Sequence, residues 1–401
     1  MTLARSHAKA GPAAGGRSYS LAFGHQRSAL LLIVVLASYV VLKPFYVLPS
    51  GLPQLGDLLV VGAIPFALLL PQPRLSDDAH RFQLYLALFC GYAALVSVAW
   101  TFILMDPSMA VSATYYAFNL CLVIVCLRVG ALYPRETLRT IAYAISVSAV
   151  FQAASIALTY NAAEFRQIAS FNNPNQLGYW SLLSICIFWS IAGKMKIKWY
   201  VQAPTIICLV YTTAVALSKS GMISVALLCV LQYVKKPRLL LAGLILLVPV
   251  YFALENSDLL ERVKYRLENI GQQSDDTLET RGYDRIIHYP QYLVLGAAEG
   301  GLYRYGEIFD NYHEMHSTLG TILFSYGVVG LIFFGAAIWC LYRISSDGRF
   351  LYLLPPFLHG IAHQGLRFSF LWLLFAVLVV LSGMDEGRPS PQNNKHGLTR
   401  S

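Results

Sequence analysis

The sequence predicts an all-α polytopic membrane protein of about twelve transmembrane helices, with one long polar loop between helices 9 and 10. Three observations carry this reading. Of 401 residues, 56% are hydrophobic and only 13% charged, with a mean hydropathy of +0.54, far from the soluble average. Apolar runs close to the roughly 20 residues needed to cross a bilayer recur along nearly the whole chain. Lysine and arginine alternate in density from one link to the next, as positive-inside insertion produces.

The first 27 residues are polar, basic and rich in Gly and Ala, and read as a tail. The apolar run behind them is long enough to span and lacks a small-residue cleavage site, so no cleavable signal peptide is expected. Apolar runs then place helices at 28–48, 53–71, 83–104, 109–127, 140–159, 177–193, 200–218, 220–234, 238–254, 320–342, 350–364 and 366–384. The second, eighth and eleventh are short or contain proline. Residues 28–384 thus form one transmembrane domain, and 385–401 a C-terminal tail.

Alternate links hold Arg74 and Arg81, then Arg128, Arg135 and Arg139, then Lys194, Lys196 and Lys198. Lys235, Lys236 and Arg238, then Arg343 and Arg349, continue the series. The remaining short links hold only Lys43, Arg166, Lys219 and Arg367. Both termini are therefore expected in the cytoplasm and the long loop outside. The net charge of +9 is mostly this bias, so membrane lipids, not nucleic acid, are the expected partners.

All seven cysteines fall inside predicted helices, which argues against a disulfide framework or a thiolate metal site. No internal repeat maps one half onto the other, and few ionisable residues lie deep in the spans. Both points weigh against a transporter.

Water-phase chemistry is left to the outside links, above all 255–317, a loop of roughly sixty residues. Loops longer than about 15 residues usually carry function or are disordered. Leu259, Leu260, Val263 and Leu267 share one helical face of 259–269, which predicts an interfacial amphipathic helix. Arg281 and Arg285 are four apart and share a face if helical. Two guanidinium forks so placed suit a phosphate or pyrophosphate, and Arg166 and Lys219 from other links are candidates for the same anion. Arginines at a bilayer surface also simply meet lipid headgroups.

His313-Glu314-Met315-His316 precedes the tenth helix. It lacks the His-Glu-x-x-His spacing of a zinc site, and no cysteine or clear third ligand accompanies it, so no metal is expected. An imidazole near its own pKa can instead take a proton from a sugar hydroxyl. In Phe171-Asn172-Asn173-Pro174-Asn175, Pro174 pushes its predecessor out of helix. Asn175 is then a candidate cap for the sixth helix. Asn172 and Asn175, with His313, are candidates to orient sugar hydroxyls.

The segment Phe-Asn-Asn-Pro-Asn-Gln-Leu-Gly, the arginine before it, and the run from His316-Ser317-Thr318-Leu319 to Tyr326-Gly327-Val328-Val329-Gly330-Leu331 together resemble the O-antigen ligase/polymerase superfamily. That group comprises Wzy-type polymerases of O-antigen, capsule and exopolysaccharide, and the ligases that attach O-antigen to lipid A-core. The resemblance implies a GT-C-like fold in the bacterial inner membrane, with the long loop periplasmic. It also implies metal- and cofactor-independent glycosyl transfer from undecaprenyl-pyrophosphate-linked oligosaccharide, alongside a flippase and a chain-length regulator.

His316 stands where the ligases place a proton-abstracting His in His-Asn-x-x-Leu, with Ser317 in place of the Asn. Glu314 is the alternative base or its orienting partner. Arg166 and Arg281 map by position onto pyrophosphate-binding arginines. Arg285 opens an Arg-x10-Gly spacing ending at Gly296, whereas Gly178 follows Arg166 one residue too late for the same pattern. The His316 run, and Leu48 to Gln54, look more like exopolysaccharide polymerases than ligases. A carrier or flippase of lipid-linked sugars is the reading from another class.

Overall fold

A computed structural model describes residues 16–48, 53–72, 75–161, 163–234, 236–238, 257–269, 277–305, 314–345 and 348–386, with a few isolated positions between 241 and 255. Its helices are α1 Gly16–Leu42, α2 Leu55–Leu69, α3 Asp77–Leu104, α4 Val111–Leu132, α5 Pro134–Thr159, α6 Pro174–Met195 and α7 Trp199–Val215. They continue with α8 Lys219–Tyr233, α9 Asp258–Glu268, α10 Asp284–His288, α11 Thr318–Ile344, α12 Leu354–Ala362 and α13 Ser369–Glu386. No strand occurs among the described residues.

Five segments, Asp77–Leu104, Pro107–Leu132, Pro134–Thr159, Pro174–Met195 and Thr318–Ile344, are long and apolar enough to cross a membrane, consistent with an all-α, membrane-embedded protein. Large apolar side chains such as Phe102, Leu158 and Ile332 face outward, which suits lipid contact and would be costly in water as a continuous belt. The centre of the bundle is α6 and α13, whose residues are buried nearly all round. Of the five spans α6 has the lowest mean hydropathy and the largest buried share, as suits a helix packed by protein and not by lipid. Ser181, Ser184 and Ser190 on α6 are buried, small enough to let neighbouring backbones close in.

The links expected outside meet at one end of the bundle. The Tyr46 amide donates to Ser170 O and the Gln167 amide to Val215 O, Arg266 reaches Leu217 O, and Tyr303 reaches Asp106. The links of the other set meet at the opposite end, where Arg128 donates to Leu70 O and Arg343 pairs with Asp78. This is how consecutive antiparallel helices must stack.

Several elements differ from the sequence reading. α1 begins at Gly16 and ends at Leu42, because Pro44 disfavours helix in the residue before it. The ninth expected helix, 238–254, lies almost wholly outside the described residues. The eleventh is only the nine residues of α12, entered through a 3-10 turn and Pro355-Pro356 at its start. At 1.5 Å per residue it is about 13 Å long, under half a hydrocarbon core. The amphipathic stretch 259–269 does form a helix, α9.

The largest departure is inside α11, where Gly327 takes φ +64° and ψ −171° and breaks the helix. The broken turn is not left unpaired. A looped strap, residues 293–298, runs beside it: the Ala297 and Ala298 amides donate to Phe324 O and Ser325 O (3.0 and 2.9 Å), and the Val328 amide donates to Leu293 O at 2.8 Å. Buried backbone groups need such partners. The approach is so close that a Cβ on Gly296 would lie 2.3 Å from Ser325 O, which explains the glycine at the end of the Arg285 spacing.

Candidate functional site

The Arg166 link, described over 163–173, is fixed from three sides. Arg166 donates through Nε to Ala216 O at 2.9 Å and through Nη2 to Asn175 Oδ1 at 2.5 Å. Asn175 therefore holds the arginine. The cap of α6 is Asn173, whose side chain accepts from the Asn175 amide at 2.7 Å. The expectation that Asn175 caps α6 is thus corrected by two positions: Pro174 occupies the first helical turn, so the cap falls before it.

α9 lies over this link. Arg262 donates to Glu164 O and Phe165 O (2.5 and 3.2 Å), and Tyr265 packs edge-on against Phe165. Lys219, at the start of α8, donates to Asn269 O at 3.3 Å, so its ammonium holds the end of α9. Asn172 is exposed and donates to Leu48 O at 3.3 Å.

Arg281 and His316 are joined through the backbone, the His316 amide donating to Arg281 O at 3.0 Å. The Arg281 guanidinium donates to Ala362 O at the carboxyl end of α12, where free carbonyls and the helix dipole favour a cation. The next residue, His363, lies within electrostatic reach of His359, Arg281, His316 and Arg166. Arg281 and His316 from the long loop and Arg166 from an earlier link thus all lie in the electrostatic neighbourhood of a residue that the sequence did not single out.

Arg285 does not join them. Arg281 precedes the five-residue α10 and is not in helix, so the two arginines share no helical face. The Arg285 guanidinium is buried over the Tyr305 ring at 5.1 Å, and burial pushes its pKa below the ordinary arginine value. It packs beneath the loop, lining a cleft with Glu299, Glu314, Gln364 and Arg367.

That cleft holds the other polar cluster. Glu299, 6% exposed, accepts from Tyr116, from Tyr326 at 2.6 Å, from Gln364 at 3.2 Å and from Arg367 Nε at 2.6 Å. Arg367 also meets both Glu314 oxygens at 3.1 Å and lies over the Tyr115 ring at 5.6 Å. The strap therefore ends in a carboxylate that is tied to α4, α11 and the α12–α13 link together.

Glu314, Met315, His316 and Ser317 form an extended run into α11, with Glu314 and His316 exposed and Met315 and Ser317 buried. Ser317 caps α11, accepting from the Gly320 amide at 3.0 Å, and receives the Tyr283 hydroxyl at 2.7 Å. His313 lies outside the described residues. Among the described residues, no group of three or more His, Cys, Asp or Glu is placed to hold a metal.

Sequence reading missed Glu299, Arg367, His359 and His363 as site residues. The signal for the histidines was present: an i, i+4 pair of ionisable side chains in an apolar run is functional by default in a membrane protein. No family model matches the chain, and no curated protein matches it.

Proposed function

We infer that the chain is a glycosyltransferase that joins lipid-pyrophosphate-linked saccharide units: a surface-polysaccharide polymerase of the bacterial inner membrane. The observation that carries this is the backbone pairing of His316 with Arg281, an imidazole-bearing and a permanently cationic residue at the end where the polar links, the Arg166 link among them, gather. Under this reading the chain crosses the membrane about twelve times with both termini cytoplasmic, and the site opens to the periplasm.

The donor's lipid tail stays in the bilayer while its pyrophosphate meets Arg166 and Arg281. His316 takes the proton of the acceptor hydroxyl, whose oxygen attacks the anomeric carbon. The bond from that carbon to the phosphate oxygen breaks, and the pyrophosphate leaves with the electron pair. Fixed guanidinium groups stabilise the charge that grows on the leaving group. Glu314 is engaged through both oxygens by Arg367, which supports His316 as the proton acceptor and Glu314 as part of the wall beside it.

The test is incubation of purified protein with undecaprenyl-pyrophosphate-linked repeat units. Longer lipid-linked chains are expected, and are lost in His316→Ala and Arg281→Ala at normal protein level. Transfer only to lipid A-core would make the chain a ligase. An unchanged donor would overturn the enzymatic reading in favour of a carrier.

A further inference from the structure

His363 is held in place at the meeting point of that site. Its amide donates to His359 O at 3.1 Å, and its carbonyl accepts from the Thr318 hydroxyl at 3.2 Å, so the backbone is pinned to α12 on one side and to the start of α11 on the other. Gly360 lets α11 come this close, since a Cβ there would lie 2.8 Å from Thr318 Oγ1. The imidazole is only partly buried; the Arg281 guanidinium is anchored on the carbonyl of the preceding residue, Ala362, and His359, His316 and Arg166 are within electrostatic reach.

Behind it, His359 is 1% exposed. Its ring stacks on Tyr179 at 4.4 Å and lies 4.8 Å from the His363 ring. Neither of its nitrogens has a hydrogen-bond partner among the described residues. An unpaired buried polar group costs free energy, and an apolar ring would stack on Tyr179 without that cost. Two imidazoles in tandem, one unpaired and buried, the other beside two arginines, are an expensive arrangement for packing alone and a sensible one for a polar ligand.

The geometry points to His363 as a further anion-binding residue, donating a ring N–H to the phosphate oxygens held by Arg166 and Arg281, with His359 packed behind it. This rests on the reading of those arginines as a phosphate site and adds to it a residue that the sequence reading did not select. A neutral imidazole offers one N–H and no permanent charge, so it can complete the coordination of a phosphate without adding a third fixed cation to the repulsion between the arginines.

The test uses the full chain in phosphatidylcholine nanodiscs, titrated with inorganic pyrophosphate. Wild type is expected to bind saturably and Arg281→Ala to lose binding. His363→Ala should weaken it by roughly tenfold or more, the value of a hydrogen bond to a charged group. His363→Asn, which keeps an N–H donor on a short planar side chain, should recover most of the loss, which a purely structural role would not produce. If His363→Ala binds like wild type while Arg281→Ala does not, the inference about His363 falls and the phosphate site stands. If wild type shows no binding, both fall. Repeating the titration with phosphatidylglycerol in the disc separates the two sources of phosphate: competition that depends on His363 would support the contact with a lipid headgroup as occupant, and no competition supports the pyrophosphate.

Discussion

Replacing Gly327 by alanine should unseat the strap and with it the carboxylate end of the site. A Cβ at this position would lie 2.2 Å from Val294 O, 2.5 Å from its carbonyl carbon and 2.9 Å from Gly296 N. All three are backbone atoms, so no rotamer change relieves the overlap. The backbone region itself costs a non-glycine residue about 1–3 kcal/mol, and overpacking about 1–3 kcal/mol more. The alternative is to release the strap, losing its three hydrogen bonds of 2.8–3.0 Å to the broken turn, each worth about 0.5–1.5 kcal/mol. Both routes lead to a loss of a few kcal/mol. In detergent-purified protein this should lower the unfolding temperature by several degrees, at roughly 1–2 °C per kcal/mol when the small-domain slope is scaled to this length. Because Glu299 follows the strap directly, chain extension should be lost as well. Gly335→Ala is the control: nothing lies within 4 Å of a Cβ there, and alanine in a helix interior is favoured over glycine by about 1 kcal/mol. A Gly327→Ala protein with wild-type melting and activity would refute the strap argument.

Three further outcomes follow from the same contacts. Glu299→Ala should destabilise by about 3–5 kcal/mol, because it strands part of the Arg367 charge and two tyrosine hydroxyls, and in a cycle with Arg367→Met the two losses should fall well short of additive; additive melting shifts would show that the pair does not interact. Asn173→Ala should cost about 0.5–2 kcal/mol of stability through loss of the α6 cap and leave pyrophosphate binding unchanged. Asn175→Ala should do the reverse, weakening pyrophosphate binding roughly threefold through a loosened Arg166 with little change in melting, and an exchange of these two phenotypes would contradict the assignment of cap and site.

The helices were legible because a bilayer imposes length and polarity on each run, and those constraints are written locally. Thus α3, α5, α6 and α8 lie where their apolar runs predict, and α9 was readable from its leucine and valine spacing. What the sequence did not show is set by contacts between distant segments. Gly327 sits in an uninterrupted apolar run, and only the approach of 293–298 makes it a break. Asn175 looked like a cap from its own neighbourhood, yet its partner Arg166 is held by Ala216, fifty residues away from that arginine. Glu299 carried no local signal, since four of its partners come from Tyr116, Tyr326, Gln364 and Arg367. Arg166, Arg281 and His316 were singled out as candidates because charge is scarce outside the loops. Their assembly around His363 was not, because the α12 run reads as plain span until its shortness and its two histidines are considered together.

The extended run 314–317 explains how two different polar neighbourhoods can serve one reaction. In an extended chain residues i and i+2 face the same way, so Glu314 and His316 are exposed together while Met315 and Ser317 are buried and anchor the segment. A helix here would have paired His313 with His316 instead. Glu314 leads to Arg367 and Glu299, and His316 leads through the Arg281 carbonyl to Arg281 and His363. The Glu314 branch thus mixes carboxylates, an amide and arginines tied to them, suited to hydroxyl groups, and the His316 branch is guanidinium and imidazole, suited to phosphate. Under the proposed reaction the anionic leaving group is drawn by charge to the His316 branch, and the neutral acceptor is held by hydrogen bonds on the Glu314 branch, two residues from the side chain that takes its proton.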